Sequence, residues 1–521
     1  MQNIQKFRSK NLNYVRFRYI VWGVVVGALG GVVVSLFRLV IESLLKVVSW
    51  LYPQLLHEPR LWLGVIAGLL LVLGVNSHFL KVEPNISGSG IPQVEGKLAG
   101  VLELSWWSIL WRKWIGGVLA IGSGLYLGRE GPSIQLGAMV GQGCGQYLKM
   151  SDIEQRYLIA GGAAAGLAAA FNAPIAASLF IVEEVYHNFS AFIWTTSLAA
   201  AVTANFVSMN FFGLRPVLYI VQEQSFPINS YWSLLLLGIV LGLLGLVYEF
   251  LTLHSSFLYQ KIKWLPQRFY GIFPLTLVIF IGMFFPLTLG GGNLLIVSLP
   301  KLDLSLAALL GLFLLRLVFS TLSYGSSFPG GIFLPILTLG AVLGAIYCKV
   351  LVGFGLLPPV LMVNCIVYAM AGYFAGISKA PFTAILLVTE MVGSLEHLMP
   401  LALVALTSYA VCDIFNGRPI YEAMLSNLTE KISKQKMIQA GSQEQLEFPV
   451  FAGSKLQERR VKEISWPDDC LIFAIRRGEK ELLPHGDTLI QAGDTLIVIT
   501  VKGKRSQIRA QLKSLSDLPP N

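Results

Sequence analysis

Apolar residues in this chain come in long blocks rather than singly. Tyr19–Phe37, Leu61–Val75, Ser233–Leu246 and Leu304–Leu315 are apolar runs divided by short polar breaks. Several approach the roughly 20 residues a helix needs to cross hydrocarbon. Others are shorter and are broken by glycine or proline, which predicts a helical bundle with tilted and discontinuous helices. Two charge-free stretches, Trp114–Leu127 and Ser133–Tyr147, flank Gly128-Arg129-Glu130-Gly131-Pro132. A carboxylate at membrane depth is costly and marks a functional position by default. Pro132 predicts the first turn of a new helix, so Glu130 falls at a helix N-terminus, where free amides attract anions.

The pattern changes near Leu428. The stretch Thr429–Gln445, TEKISKQKMIQAGSQEQ, reads as a polar linker. The expected division is a membrane domain over 1–430, a linker over 431–446 and a cytoplasmic tail domain over 447–521. In the tail, Cys470–Ile475 and Thr495–Thr500 predict strands, Gly486-Asp487 and Gly493-Asp494 predict turns, and Ser506–Leu515 predicts a closing helix. The tail is therefore expected to be a small α+β domain, and the rest all-α.

Composition excludes a soluble protein. Only 13% of residues are charged and 55% are hydrophobic, against about 25% charged in soluble domains. The net charge of +10 matters less than its placement. Lys6, Arg8, Lys10, Arg16 and Arg18 precede the first apolar run with no acidic residue among them, which predicts a cytoplasmic N-terminus. These basic residues flank apolar spans, so nucleic-acid binding is set aside. Five scattered cysteines suggest neither a disulfide framework nor a metal site. Leu304–Thr389 holds no Asp or Glu but carries Arg316, Lys349 and Lys379. A cation pathway would be expected to place carboxylates there, so the solute is anionic or neutral.

The membrane part repeats. Pro132-x3-Leu136-Gly137-Ala138-x2-Gly141 recurs as Pro335-x3-Leu339-Gly340-Ala341-x2-Gly344, 203 residues on. Asn172-Ala173-Pro174, with Glu183 nine residues after the proline, recurs as Lys379-Ala380-Pro381 with Glu390, 207 residues on. Two landmarks in one order argue for a duplicated unit, and two-repeat transporters place their site where the halves meet. Three glycine-flanked segments have the form of anion-cradling helix starts: Gly88-Ser89-Gly90-Ile91-Pro92, Gly128–Pro132 and Gly330-Gly331-Ile332-Phe333-Leu334-Pro335. Glu183 and Glu184 are adjacent, so on a helix they point about 100° apart. One reads as a helix-end surface charge, and the other can carry protons inward.

Taken together, GSGIP at 88–92, GREGP at 128–132, GGIFLP at 330–335, GLAAAFNAPIAASLFIVEEV at 166–185, KAPFTAILLVTEM at 379–391 and NGRPIYEAML at 416–425 resemble the CLC chloride channel and transporter family over roughly 15–430. The resemblance implies antiparallel repeats and a homodimer with one ion pathway per subunit. With the basic N-terminus and the tail domain both read as cytoplasmic, both termini are expected on that side. Site by site, the resemblance implies that Ser89 and Tyr421 coordinate a central chloride with side chains, and that Ile332 and Phe333 do so with backbone amides. It implies Glu130 as gating glutamate, Glu184 as internal proton-transfer glutamate and Lys113 as the source of an electropositive pathway. Gly88, Gly90, Gly128, Gly131 and Gly331 are the helix-start glycines. The tail, PDDCLIFAIRRGEKELLPHGDTLIQAGDTLIVI, resembles the TrkA-C type of regulatory domain, which implies an unidentified small ligand or a dimerising role and a prokaryotic plasma-membrane setting.

The expected function is chloride/proton antiport, with chloride and protons as solutes, lipid as surroundings and no cofactor. A passive chloride channel of the same family is the alternative. An intramembrane enzyme built on Glu130 lacks any metal-ligand spacing or paired nucleophile.

Overall fold

The computed structural model describes residues 2–501 apart from 187–189, 215, 219–223, 263–264, 440–442, 451–452, 468–469 and 478–479, together with 511–512. Helices form wherever the apolar runs are free of glycine–proline breaks. The first half comprises α1 (Gln2–Gln54), α2 (Leu61–Val82), α3 (Ile91–Leu98), α4 (Trp106–Gly122), α5 (Glu130–Tyr147), α6 (Asp152–Phe171), α7 (Pro174–Phe180) and α8 (Ala191–Phe212). The second comprises α9 (Tyr231–Gln260), α10 (Ile272–Phe284), α11 (Asn293–Ser298), α12 (Leu306–Gly325), α13 (Phe333–Gly353), α14 (Met362–Ser378), α15 (Pro381–Val392), α16 (Leu398–Ile414) and α17 (Ile420–Gln439). Among the described residues, eight helical segments are long and apolar enough to cross a membrane. Others, such as α3 and α7, are too short to span and begin at prolines.

The sequence repeat is a structural repeat. Gly137 on α5 meets α6 so closely that a Cβ there would strike the Gly162 carbonyl oxygen, and a Cβ on Gly162 would strike the Gly137 carbonyl. Gly340 of α13, the counterpart of Gly137, stands in the same relation to α14, with a Cβ 2.8 Å from the Ala369 carbonyl. Small residues allow this approach where lipid offers no hydrophobic drive between helices. Helices α6 and α14 both end on a left-handed residue, Asn172 (φ 55°) and Lys379 (φ 58°), and the chain restarts at Pro174 and Pro381. Glu183, just past the end of α7, bonds the first turn of α15, while Glu390, near the end of α15, bonds the first turn of α7. The two helices therefore run antiparallel.

The chain divides into two compact units, Met1–Leu425 and Ser426–Asn521. The segment expected as a linker, 431–446, carries regular structure among its described residues. It is helical to Gln439, and β1 (Gln443–Pro449) begins inside it. Lys, Gln, Glu and Met are good helix formers, and a polar stretch rich in them extends a helix already started.

In the second unit, β1, β2 (Cys470–Arg477), β3 (Lys480–Leu482) and β4 (Thr495–Val501) form an antiparallel sheet in the order β1-β4-β2-β3. Ile475, Ile490, Leu496 and Val498 fill its core with Leu512. Leu512 and Gln511 are helical, and the remainder of the closing helix expected over Ser506–Leu515 lies outside the described residues. Gly493 turns at φ 87°, leading into Asp494, whose carboxylate accepts from Arg477 Nε (2.8 Å), Arg477 Nη2 (2.7 Å) and the Gln491 amide (2.8 Å). Burial alone would raise the Asp494 carboxyl, but those three donors outweigh it and hold its pKa below the ordinary value. The stability this contributes is present above the unfolded value of about 3.9 and is lost as pH falls through the folded value. Asp494→Ala should destabilise this unit by about 2 kcal/mol, read by mass spectrometry as faster amide exchange in β2 and β4. The gap from wild type should narrow on acidification.

Candidate functional site

The breaks in the helices converge on one place. Gly128, before α5, and Gly331, before α13, form a two-bond antiparallel bridge, each amide donating to the other's carbonyl at 2.7 Å. Gly330 donates to the Gly88 carbonyl at 3.0 Å, which draws in the turn before α3. Gly131 packs directly on Ser89, where a Cβ would overlap the serine hydroxyl and lie 2.7 Å from its carbonyl oxygen. Gly90 takes φ 93°, a conformation that favours glycine, and lies against Gln135. Three helix N-termini thus meet at one point, each bringing backbone amides with no intrahelical acceptor. Their partial positive charges add.

Lys113 of α4 is fully buried, and its ammonium donates to the carbonyls of Ile86 (2.8 Å) and Gly88 (2.7 Å). It clamps the turn that carries Ser89 and places a cation behind it. Tyr324 of α12 supports the same turn, with its hydroxyl 3.2 Å from where a Gly88 Cβ would stand and donating to Met424 Sδ at 3.1 Å. The three cations of the carboxylate-free stretch are engaged elsewhere. Arg316 bonds the Thr288, Gly290 and Gly291 carbonyls, Lys349 pairs with Asp303 and Lys379 pairs with Asp413. The positive character of the site therefore comes from the helix starts, Lys113 and Arg129 rather than from those three cations.

Glu130 is the first residue of α5 and is completely buried. No side chain hydrogen-bonds its carboxylate; the backbone amides of Glu130 and Leu334 are the donors that face it, and Oε1 lies 3.8 Å from Arg129 Nε. The Gly128 α-carbon faces this carboxylate and the Leu334 amide together, so the charge sits against the starts of both α5 and α13. Ile332 caps α13 and Phe333 is its first residue, both buried. The hydroxyls of Ser89 and Tyr421 are buried without a hydrogen-bond partner. The Tyr421 ring meets Phe180 edge-on at 6.1 Å, and Phe180 meets Phe333 at 5.8 Å. All the helix-start residues named from sequence are thus brought together with Tyr421, through that aromatic chain.

Glu184 lies apart from them, in a π-helical turn, Ile181–Val185, that continues α7. It is buried, its Oε1 is unpartnered, and the charges of Glu95, Glu183 and Glu422 are within electrostatic reach. Tyr421 is within electrostatic reach of both Glu130 and Glu184. Glu183, expected as a helix-end surface charge, is half-exposed at the end of α7 and its carboxylate is bonded to the start of α15.

Sequence reasoning missed the network around Arg129. Glu42, on α1, accepts from Arg129 Nη1 (2.6 Å) and Arg38 Nε (3.0 Å). A cavity of about 290 Å³ lined by Arg38, Glu42, Lys46, Arg129, Asn293 and Leu334 opens beside this network. The signal was present: Glu42 is the one charge inside the stretch Leu39–Leu45.

Comparison with known proteins agrees with this arrangement. The family model described as voltage gated chloride channel matches residues 73–413, and that of the TrkA-C domain matches 446–513. The H(+)/Cl(-) exchange transporter ClcA of Vibrio campbellii is 34% identical over 444 residues, covering 81% of this chain and 92% of the relative. ClcA of Salmonella typhi is 32% identical over 435 residues, covering 78% and 88%. A slow cyanobacterial Cl-/H+ antiporter of known crystal structure superposes with a TM-score of 0.72 at 29% identity, covering 80% of this chain and 98% of that one. A CLC-type fluoride/proton antiporter shares the fold, with a TM-score of 0.65 at 23% identity over 78% of this chain and 97% of that one.

The clamp at Lys113 generates a direct test. Lys113→Met keeps the bulk but leaves two buried carbonyls unbonded, at a cost of about 2 kcal/mol. The expected outcome is a lower thermal unfolding temperature of the detergent-solubilised protein.

Proposed function

The chain belongs to the CLC family of voltage gated chloride channels and antiporters, a multi-pass integral membrane protein with a TrkA-C domain, and from that premise we propose that it exchanges chloride for protons. One observation carries the reading: a buried carboxylate, Glu130, occupies the joint start of α5 and α13, where the amides would otherwise face an anion. In this reading the amides of Ile332 and Phe333 and the hydroxyls of Ser89 and Tyr421 coordinate the central chloride. The unpartnered state of both hydroxyls supports this.

Ionised, Glu130 competes with chloride for the same donors. Protonated, it loses the charge that held it there, and the anion takes its place. Anion and proton occupancy are then linked at one residue, and linkage is reciprocal. Glu184 supplies protons from the other side, with Tyr421 between the two carboxylates' electrostatic fields. Lys113 and the helix starts make the route electropositive, which opposes cations and attracts chloride. Exchange of this kind requires no covalent step and no cofactor. The family resemblance adds a homodimer with one pathway in each subunit.

Purified protein reconstituted in liposomes, with chloride efflux and proton uptake recorded together, tests the reading. Glu130→Ala should abolish proton movement while chloride still passes, and Glu184→Gln should stop protons selectively. Ser89→Ala, losing one donor to the anion, should weaken chloride binding about tenfold, measured by titration calorimetry. Chloride flux without proton flux at every imposed gradient would establish the passive channel instead.

A further inference from the structure

Glu183 and Glu390 occupy matching positions of the two repeats, and each reaches the helix start of the other. Glu183 accepts from the amides of Phe382 (3.3 Å) and Thr383 (2.8 Å) and from the Thr383 hydroxyl (2.6 Å). Glu390 accepts from the amides of Ile175 (3.2 Å) and Ala176 (2.8 Å). Pro174 and Pro381 open the two helices and have no amide to offer, so each carboxylate meets the next two donors. A carboxylate there gains charge-assisted bonds and the favourable end of the helix dipole.

The consequence is that residues 174–185 are clamped to α15 twice. Glu390 holds the start of α7, and Glu183 holds the π-turn at its end. Phe180 lies between the clamps, edge-on to Tyr421 at 6.1 Å, and Glu184 follows the second clamp directly. Neighbouring residues on one turn cannot rotate independently. With Glu183 tied to α15, the direction of Glu184 is set, and it is the buried one of the pair.

We propose that Glu183 and Glu390 are positioning residues for coupled exchange: through their reciprocal caps they aim Glu184 into the interior and keep Phe180 against Tyr421, without themselves carrying protons. The proposal rests on the exchanger reading above. It assigns the caps an effect on the ratio of protons to chloride rather than on chloride passage alone.

Reconstituted wild type, Glu183→Ala, Glu390→Ala, Glu183→Gln, Glu390→Gln and Thr383→Val are compared by simultaneous chloride and proton flux. The alanine variants should lower the proton-to-chloride ratio at least about fivefold while chloride flux persists, and the glutamine variants, which keep an acceptor oxygen over the amides, should stay within about twofold of wild type. Thr383→Val removes one bond to Glu183 and leaves the backbone intact, so it should lower the ratio in the same direction. Alanine variants exchanging at the wild-type ratio overturn the proposal. A Glu183→Gln variant as impaired as Glu183→Ala also overturns it, since that marks a proton carrier. Should the alanine variants fail to fold, Thr383→Val decides, and an unchanged ratio overturns the proposal. Wild type passing chloride without protons defeats the exchanger reading and this proposal with it. That failure is recognisable before any substitution is made.

Discussion

Everything in the first unit depends on how unpaired amides are accommodated inside a membrane. A helix that starts in hydrocarbon exposes donors that lipid cannot satisfy. Here α3, α5 and α13 start together, and the Gly128–Gly331 bridge satisfies one pair of backbone groups at each crossing strand. The donors left over point inward as a concentrated positive field. A carboxylate, an anion or both in turn can neutralise it, and Glu130 is the chain's own answer. The same constraint explains the glycines at 90, 128, 131 and 331, where a side chain would hold the starts apart, while Gly88 (φ 59°) turns the chain against Tyr324.

Small-residue packing makes that meeting possible. Gly137 against Gly162, and Gly340 against Ala369, let the helices behind each start approach until backbone touches backbone. The helix starts are thereby anchored by rigid pairs, α5 with α6 and α13 with α14. Carboxylates then perform two different tasks by the same physics. Glu183 and Glu390 are bonded to helix-start amides of the opposite repeat, whereas no side chain donates to Glu130 at the start it occupies.

Much of this was legible along the chain, and particular residues show why. Glu130 stood out because charge is rare between apolar runs, and Ser89 and Phe333 because glycine and proline bracket helix starts. The 207-residue displacement marked Glu183 and Glu390 as equivalents, and adjacency on a helix suggested a surface charge for one of the Glu183–Glu184 pair. The donors that capture Glu183 lie about 200 positions away, on α15, and no local pattern reveals them. Glu42 could be read as the i+4 partner of Arg38 on α1, but its bond to Arg129 forms only where α1 packs beside the start of α5. The stretch expected as a linker is polar but made of strong helix formers, and it is helical to Gln439.

By itself the sequence determined a membrane bundle, a duplicated unit, a small mixed tail and the residue types of an anion site, because periodicity, charge placement and helix-start chemistry are local properties. The tertiary structure decided the antiparallel sense of α7 and α15, which of two adjacent glutamates is bonded and which is buried, and which cations face carbonyls rather than the site. Those outcomes depend on where distant helices bring their amides. Burial and hydrogen bonding are settled by contacts across the bundle, and no run of neighbouring residues contains them.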